Sequence, residues 1–256
     1  MLNLINADLR KFSQTKLVYI ILGILSFIAI LNPFLFLTID FGEINLPEPT
    51  AYQLFLDSFN PNNNAGLLIG VLACILISQE FSHGTIRNKV IAGHKRWHIY
   101  FSLTLATTIV SLFLYVINAI FTGVTASIVL DYGRDWNWNE FFHLLEITSI
   151  SMIIYTVFIM VAIFITMLIR STGLSIVVYF LFDLVIMATW ATTEIPLRNH
   201  SLLNEIFSYT PLFQQYMIMY GEYSRKLALK ALIMSPIYYL IFTVLGMYFF
   251  KRRDLK

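Results

Sequence analysis

The sequence predicts an all-α membrane protein of six transmembrane helices, and three observations carry that prediction. The chain is 58% hydrophobic and only 12% charged over 256 residues, with a mean hydropathy of +0.72. A soluble domain of this length could not hide so much apolar surface. Second, the apolar residues gather into six runs of about bilayer length. Third, Lys and Arg are distributed unequally between the segments that join those runs. The formal charge of +2 is too small to point to a nucleic-acid partner, and none is expected. The single cysteine, Cys74, lies inside an apolar run, where it reads as a packing residue.

Residues 1–16 place Leu4, Ile5, Leu9 and Phe12 among Arg10, Lys11 and Lys16, which suits an amphipathic helix lying flat at the membrane surface. The first span is 17–39, with Pro33 expected to kink it or end it early. It begins only after Lys16 and ends without a small-residue cleavage site, so no cleavable signal peptide is expected. Residues 40–64 are acidic and broken by Pro47, Pro49 and Pro61, with a short surface helix expected over 52–59. The second span is 65–81, and its end is polar at Gln79 and Glu80. A polar, basic loop over 80–98 follows, in which Thr85 is expected to cap a short helix and Gly93 to stop it. The run 99–130 is longer than the hydrocarbon core needs, so the third crossing is expected over 99–123 with the remainder projecting outward. Residues 131–146 are polar, with Trp136 and Trp138 suited to an interfacial belt. The fourth span, 147–169, is joined by the tight turn Arg170-Ser171-Thr172 to the fifth, 173–193. An outer segment, 194–226, carries two apolar patches, 202–209 and 212–220, each too short to cross. The sixth span is 227–250, with a bend expected at Pro236. All 256 residues read as one transmembrane domain.

Charge sets the orientation. With the N-terminus inside, 12 Lys and Arg fall on the cytoplasmic side and 5 on the outer side. The positive-inside rule therefore places both termini in the cytoplasm of a multi-pass plasma-membrane protein. The outer segments are acidic. That is either the same rule seen from the other face or a preference for cationic substrates.

The sequence shows no familiar catalytic signature. No glycine-rich loop ends in Lys-Ser or Lys-Thr, so the chain is not expected to hydrolyse ATP, to act as an enzyme or to carry a cofactor. His83, His94 and His98 cluster among basic residues with only Glu80 near, a poor metal set. Asn199-His200-Ser201 is a glycosylation sequon with meaning only in a eukaryotic secretory pathway. Asp183 is the one acid in the middle of a span, where it costs about 2.5–3.5 kcal/mol. It reads either as part of a polar pathway or as a structural acid bonded to a neighbour such as Asn118.

The order Glu80, Gly84-Thr85, Arg87, Gly93, Arg96 resembles the intracellular loop of the permease subunits of type-two ATP-binding-cassette exporters. The resemblance extends to the amphipathic N-terminus, the six spans, the outer segment between the last two and the Arg252-Arg253-Asp254 tail. His94-Lys95 departs from the small polar residues common there. The resemblance implies a cytoplasmic coupling helix that docks on a separate ATPase subunit. Glu80, Gly84, Thr85, Arg87, Lys89, Gly93 and Arg96 then form the coupling element, with Arg87 and Lys89 as surface contacts. It further implies two ATPase copies, a second permease copy or close paralogue, and contact with membrane lipid. The implied substrate is an amphipathic or hydrophobic molecule, a peptide or toxin of the bacteriocin or phenol-soluble-modulin kind being favoured. Drug or sodium efflux, or a non-transporting sensor or assembly subunit on the same scaffold, are the alternatives.

Overall fold

The computed structural model describes residues 1–37, 50–61, 63–133, 137–199, 205–219 and 224–252; the side chains of 37, 189–199, 219 and 252 are excepted. The acidic stretch 40–49, Trp136, most of the sequon, the first part of the 202–209 patch and the tail beyond Arg252 lie outside these residues.

Among the described residues the chain is helix and turn, with no strand. The helices are α1 (Leu2–Ser13), α2 (Lys16–Leu37), α3 (Ala51–Asp57), α4 (Asn64–Ser82), α5 (Thr85–Ile91), α6 (Arg96–Val129), α7 (Trp138–Ile169), α8 (Thr172–Asn199), α9 (Pro211–Met219) and α10 (Arg225–Arg252). Five of them, α2, α4, α6, α7 and α10, are long and apolar enough to cross a membrane. The described apolar part of α8, Thr172–Ala188, is shorter.

The long helices sort by burial. α4, α6 and α7 are buried over most of their length and pack on one another, while α2 and α10 are largely exposed. α2 lies against α6, α10 against α7, and α8 against α4 and α7. Large apolar side chains on the outer helices, including Phe27, Phe34, Leu181, Val185, Leu240 and Val244, face outward. An apolar exterior around a close-packed interior is the arrangement that lipid permits.

Two helices run beyond the crossings expected of them, and Pro33 does not end the first span. Pro33 sits inside α2, which continues to Leu37. α6 is unbroken to Val129, and its 34 residues extend about 50 Å. α7 starts at Trp138, within the stretch read as polar, because Asn137 caps it by accepting from the Glu140 amide at 2.9 Å.

The short helix α3 is not a surface helix. Ala51, Tyr52, Leu54 and Leu56 are buried, and Phe59 just beyond it is 1% exposed. A capping box starts it: Thr50 Oγ1 accepts from the Gln53 amide at 3.3 Å, and Gln53 Oε1 accepts from the Thr50 amide at 3.1 Å. It packs against α6, where Tyr115 donates its hydroxyl to the Phe59 carbonyl at 2.6 Å and stacks on Tyr155 at 3.8 Å between centroids. Tyr155 in turn donates to the Gly66 carbonyl at 3.2 Å. These bonds satisfy backbone carbonyls that have no water to turn to.

Gly66 lets the loop before α4 close. A Cβ there would meet the Pro61 carbonyl oxygen at 2.1 Å, and backbone cannot swing away. Gly66→Ala should therefore lower the unfolding midpoint of the detergent-purified protein by several degrees, whereas Gly23→Ala, with open space around it, should leave it unchanged.

Candidate functional site

One end of the bundle gathers the basic loop. α5 begins after Gly84, which holds φ 63°, and ends before Gly93, at φ 86°. An added Cβ at either glycine would meet open space, so glycine is required there by the backbone angle alone. The N-cap is thus Gly84 and not Thr85, as the sequence reading had it. Gly93 does stop the helix: its amide donates to the Val90 carbonyl at 3.0 Å and the His94 amide to the Lys89 carbonyl at 3.1 Å, a Schellman closure.

Released from capping, Thr85 turns to Glu80. Its Oγ1 lies 2.7 Å from Glu80 Oε2 and 2.9 Å from the Glu80 carbonyl, sharing one hydrogen between them. Glu80, at the end of α4, is 0% exposed. Lys11 of α1 pairs with its Oε1, and Lys89 of α5 lies 3.3 Å from its Oε2. Lys89 also reaches Asp8 Oδ1 at 2.6 Å, and Asp8 Oδ2 accepts from Ser102 of α6 at 2.6 Å. Asp8 is 2% exposed. Two buried carboxylates and two lysines therefore tie α1, α4, α5 and α6 together.

This site contains a residue the sequence reading did not select. Asp8 occupies the middle of a buried i, i+4 stripe, Leu4-Asp8-Phe12, and an acid on an apolar helix face is the signal that could have found it. Lys89 differs too. It was expected at the surface beside Arg87, but Ile86, Lys89 and Val90 share the inward face of α5. The outward face presents Arg87, Asn88 and Ile91, the last 74% exposed.

Arg96 is engaged elsewhere. Its Nη1 donates at 3.0 Å to the Lys251 carbonyl near the end of α10, where a cation complements the helix terminus. Beside it Phe81, Phe250 and Tyr100 form an aromatic group, and the Arg170 guanidinium lies 5.2 Å above the Phe81 ring. Arg170 closes α7 at φ 62°, and α8 restarts at Thr172, as the tight turn requires.

Asp183 lies apart, on α8, and is 5% exposed. Asn118, suggested as its partner, instead lines a polar cavity with Asp57 and Asn64.

The carboxylates of Asp8 and Glu80 are buried on the strength of their lysines. Lys89→Met should therefore cost about 3 kcal/mol, read as a large drop in unfolding midpoint, because it leaves Asp8 buried without a cation while Glu80 keeps only Lys11. Arg87→Met, at an exposed position, should change stability by about 0.5 kcal/mol or less.

No curated protein matches the chain. The family described as ABC-2 family transporter protein matches residues 4–186, a stretch that holds most of α1, the first four long helices, α5 and the whole ion-pair cluster. The chain is a multi-pass membrane protein, and it belongs to the ABC-2 transporter family as a permease component that works with an ABC ATPase subunit.

Proposed function

We propose that this permease exports an amphipathic or hydrophobic substrate, a peptide or toxin first, and that α5 is its coupling helix. Two copies of the chain, or this chain and a close paralogue, form the pathway above two ATPase subunits. Both termini and α5 lie in the cytoplasm, α8 makes the sixth crossing, and α1 lies along the inner membrane surface. The basic residues at that end support this orientation.

One observation carries the coupling role: α5 has an exposed tip and a buried ionic root. Arg87, Asn88 and Ile91 offer a partner a cation, an amide and an apolar anchor. On the opposite face Lys89 is fixed to Asp8 and Glu80. A push on the tip is thus delivered to α1, α4 and α6 as one rigid group, because no member can move without uncovering a buried charge. Glu80, Thr85, Lys89 and the two glycines shape and anchor the element, and Arg96 joins it to α10.

An apolar cavity of about 280 Å³ supports the choice of substrate. It opens between α7, α8, α9 and α10 and is lined by side chains such as Phe158, Phe182, Phe213 and Phe242. A space of that lining accepts acyl or aromatic groups and rejects ions.

Co-expression with the ATPase gives the test. Arg87→Glu and Ile91→Asp should insert normally yet lower permease-dependent stimulation of ATP hydrolysis about tenfold. Unchanged association and activity would remove α5 as the docking element. Asp183→Asn should lower export with assembly intact, as expected of a pathway residue; loss of folded protein would mark it as structural.

A further inference from the structure

At the end of the bundle opposite the ion-pair cluster lies a second cavity, of about 220 Å³. It is bounded by α2, the junction of α3 and α4, and α6, and its lining is mostly polar: Asn32 from α2, Asp57 at the end of α3, Asn64 at the start of α4, and Asn118 and Thr122 from α6. Asn118 is only 3% exposed, and among the described residues its carboxamide makes no hydrogen bond. The carboxamide is not sealed from solvent, so water or a bound group in the cavity can satisfy it.

We propose that this cavity binds a primary ammonium group. Among the described residues the lining carries one carboxylate, Asp57, and no Lys, Arg or His, so an anion is disfavoured. An ammonium brings three donors and no acceptor, and Asp57, Asn118 and Thr122, each with a side-chain acceptor, line one space. A bare divalent ion fits poorly. It calls for more carboxylates than one, and the volume is several times the roughly 30 Å³ share of a water molecule. The cavity instead suits an ammonium with two or three attached carbons.

Asp57 is held for this role. Asn63 donates to the Asp57 carbonyl at 2.9 Å while its Oδ1 accepts from the Gly66 amide at 2.7 Å, so the turn beside the carboxylate is pinned. Burial raises the Asp57 carboxyl above the ordinary carboxylate range, partly countered by a hydrogen bond to Asn60, as for an acid short of positive charge. The site stands whether or not the chain couples to an ATPase. The ammonium can belong to a peptide amine or to a phosphatidylethanolamine headgroup, and the two sources separate experimentally.

The test uses the full chain in nanodiscs of phosphatidylcholine and phosphatidylglycerol, with unfolding followed by tryptophan fluorescence. Ethylammonium chloride should raise the midpoint saturably by about 2 °C or more, while tetramethylammonium and sodium chloride at equal concentration should not. Asn118→Leu and Thr122→Val should each fold and each lose most of that response. Should Asn118→Leu fail to fold, Thr122→Val alone carries the comparison. No shift with ethylammonium, an equal shift with sodium or tetramethylammonium, or an undiminished response in the folded variants overturns the proposal. Replacing phosphatidylcholine by phosphatidylethanolamine then assigns the source. A raised midpoint that abolishes the ethylammonium response supports a lipid headgroup, and a retained response supports a soluble or peptide amine.

Discussion

The buried pairing of Asp8 and Glu80 with Lys89 and Lys11 is the constraint on which one end of this molecule depends. A carboxylate taken out of water is tolerated only beside a cation that satisfies it, and here two carboxylates share one lysine. The three elements that supply them are separated in sequence by up to 81 residues, so the cluster fixes tertiary geometry and not local structure. It also explains the precision of the loop. Gly84 turns the chain through a left-handed residue so that Thr85 meets Glu80, and Gly93 releases it again as soon as Lys89 has been delivered.

The opposite end is built differently. There the bonds are neutral: tyrosine hydroxyls donate to carbonyls of the α3–α4 turn and of the first turn of α4, and a capping box and an asparagine cap start the helices around it. Neutral hydrogen bonds rearrange at lower cost than buried ion pairs. The rigid ionic end therefore suits transmission of force, and the neutral end, which also holds a polar cavity, suits contact with a ligand. Between them α4, α6 and α7 provide the packed connection.

Much of the candidate site was legible. Thr85 and Gly93 stand out by residue type and Glu80 and Gly84 by resemblance to the family's loop; Glu80 ends α4 and the other three shape the turn and α5. What escaped was direction. The spacing of Ile86 to Lys89 and Val90 puts Lys89 on the inward face of α5, but an inward lysine reads as improbable until its acids are known. Asp8 escaped for the complementary reason, since one acid on a weakly amphipathic helix resembles ordinary surface charge. The α3 helix was read as a surface element because it is short and lies between prolines; the capping box at Thr50 and Gln53 was present in the sequence and went unread.

The sequence by itself determined the solvent and the class. Apolar runs of bilayer length admit only helices, since hydrocarbon leaves each backbone group to be satisfied within its own segment, and a lopsided distribution of cations sets a polarity along them. Only the tertiary structure decided which polar residues are buried and with whom. Pairings such as Lys89 with Asp8, Tyr115 with the Phe59 carbonyl, and Arg96 with the end of α10 join residues far apart in the chain. Their geometry follows from how the helices pack, and lipid-soluble helices are selected for packing by shape and small polar contacts that leave no periodic trace in one sequence.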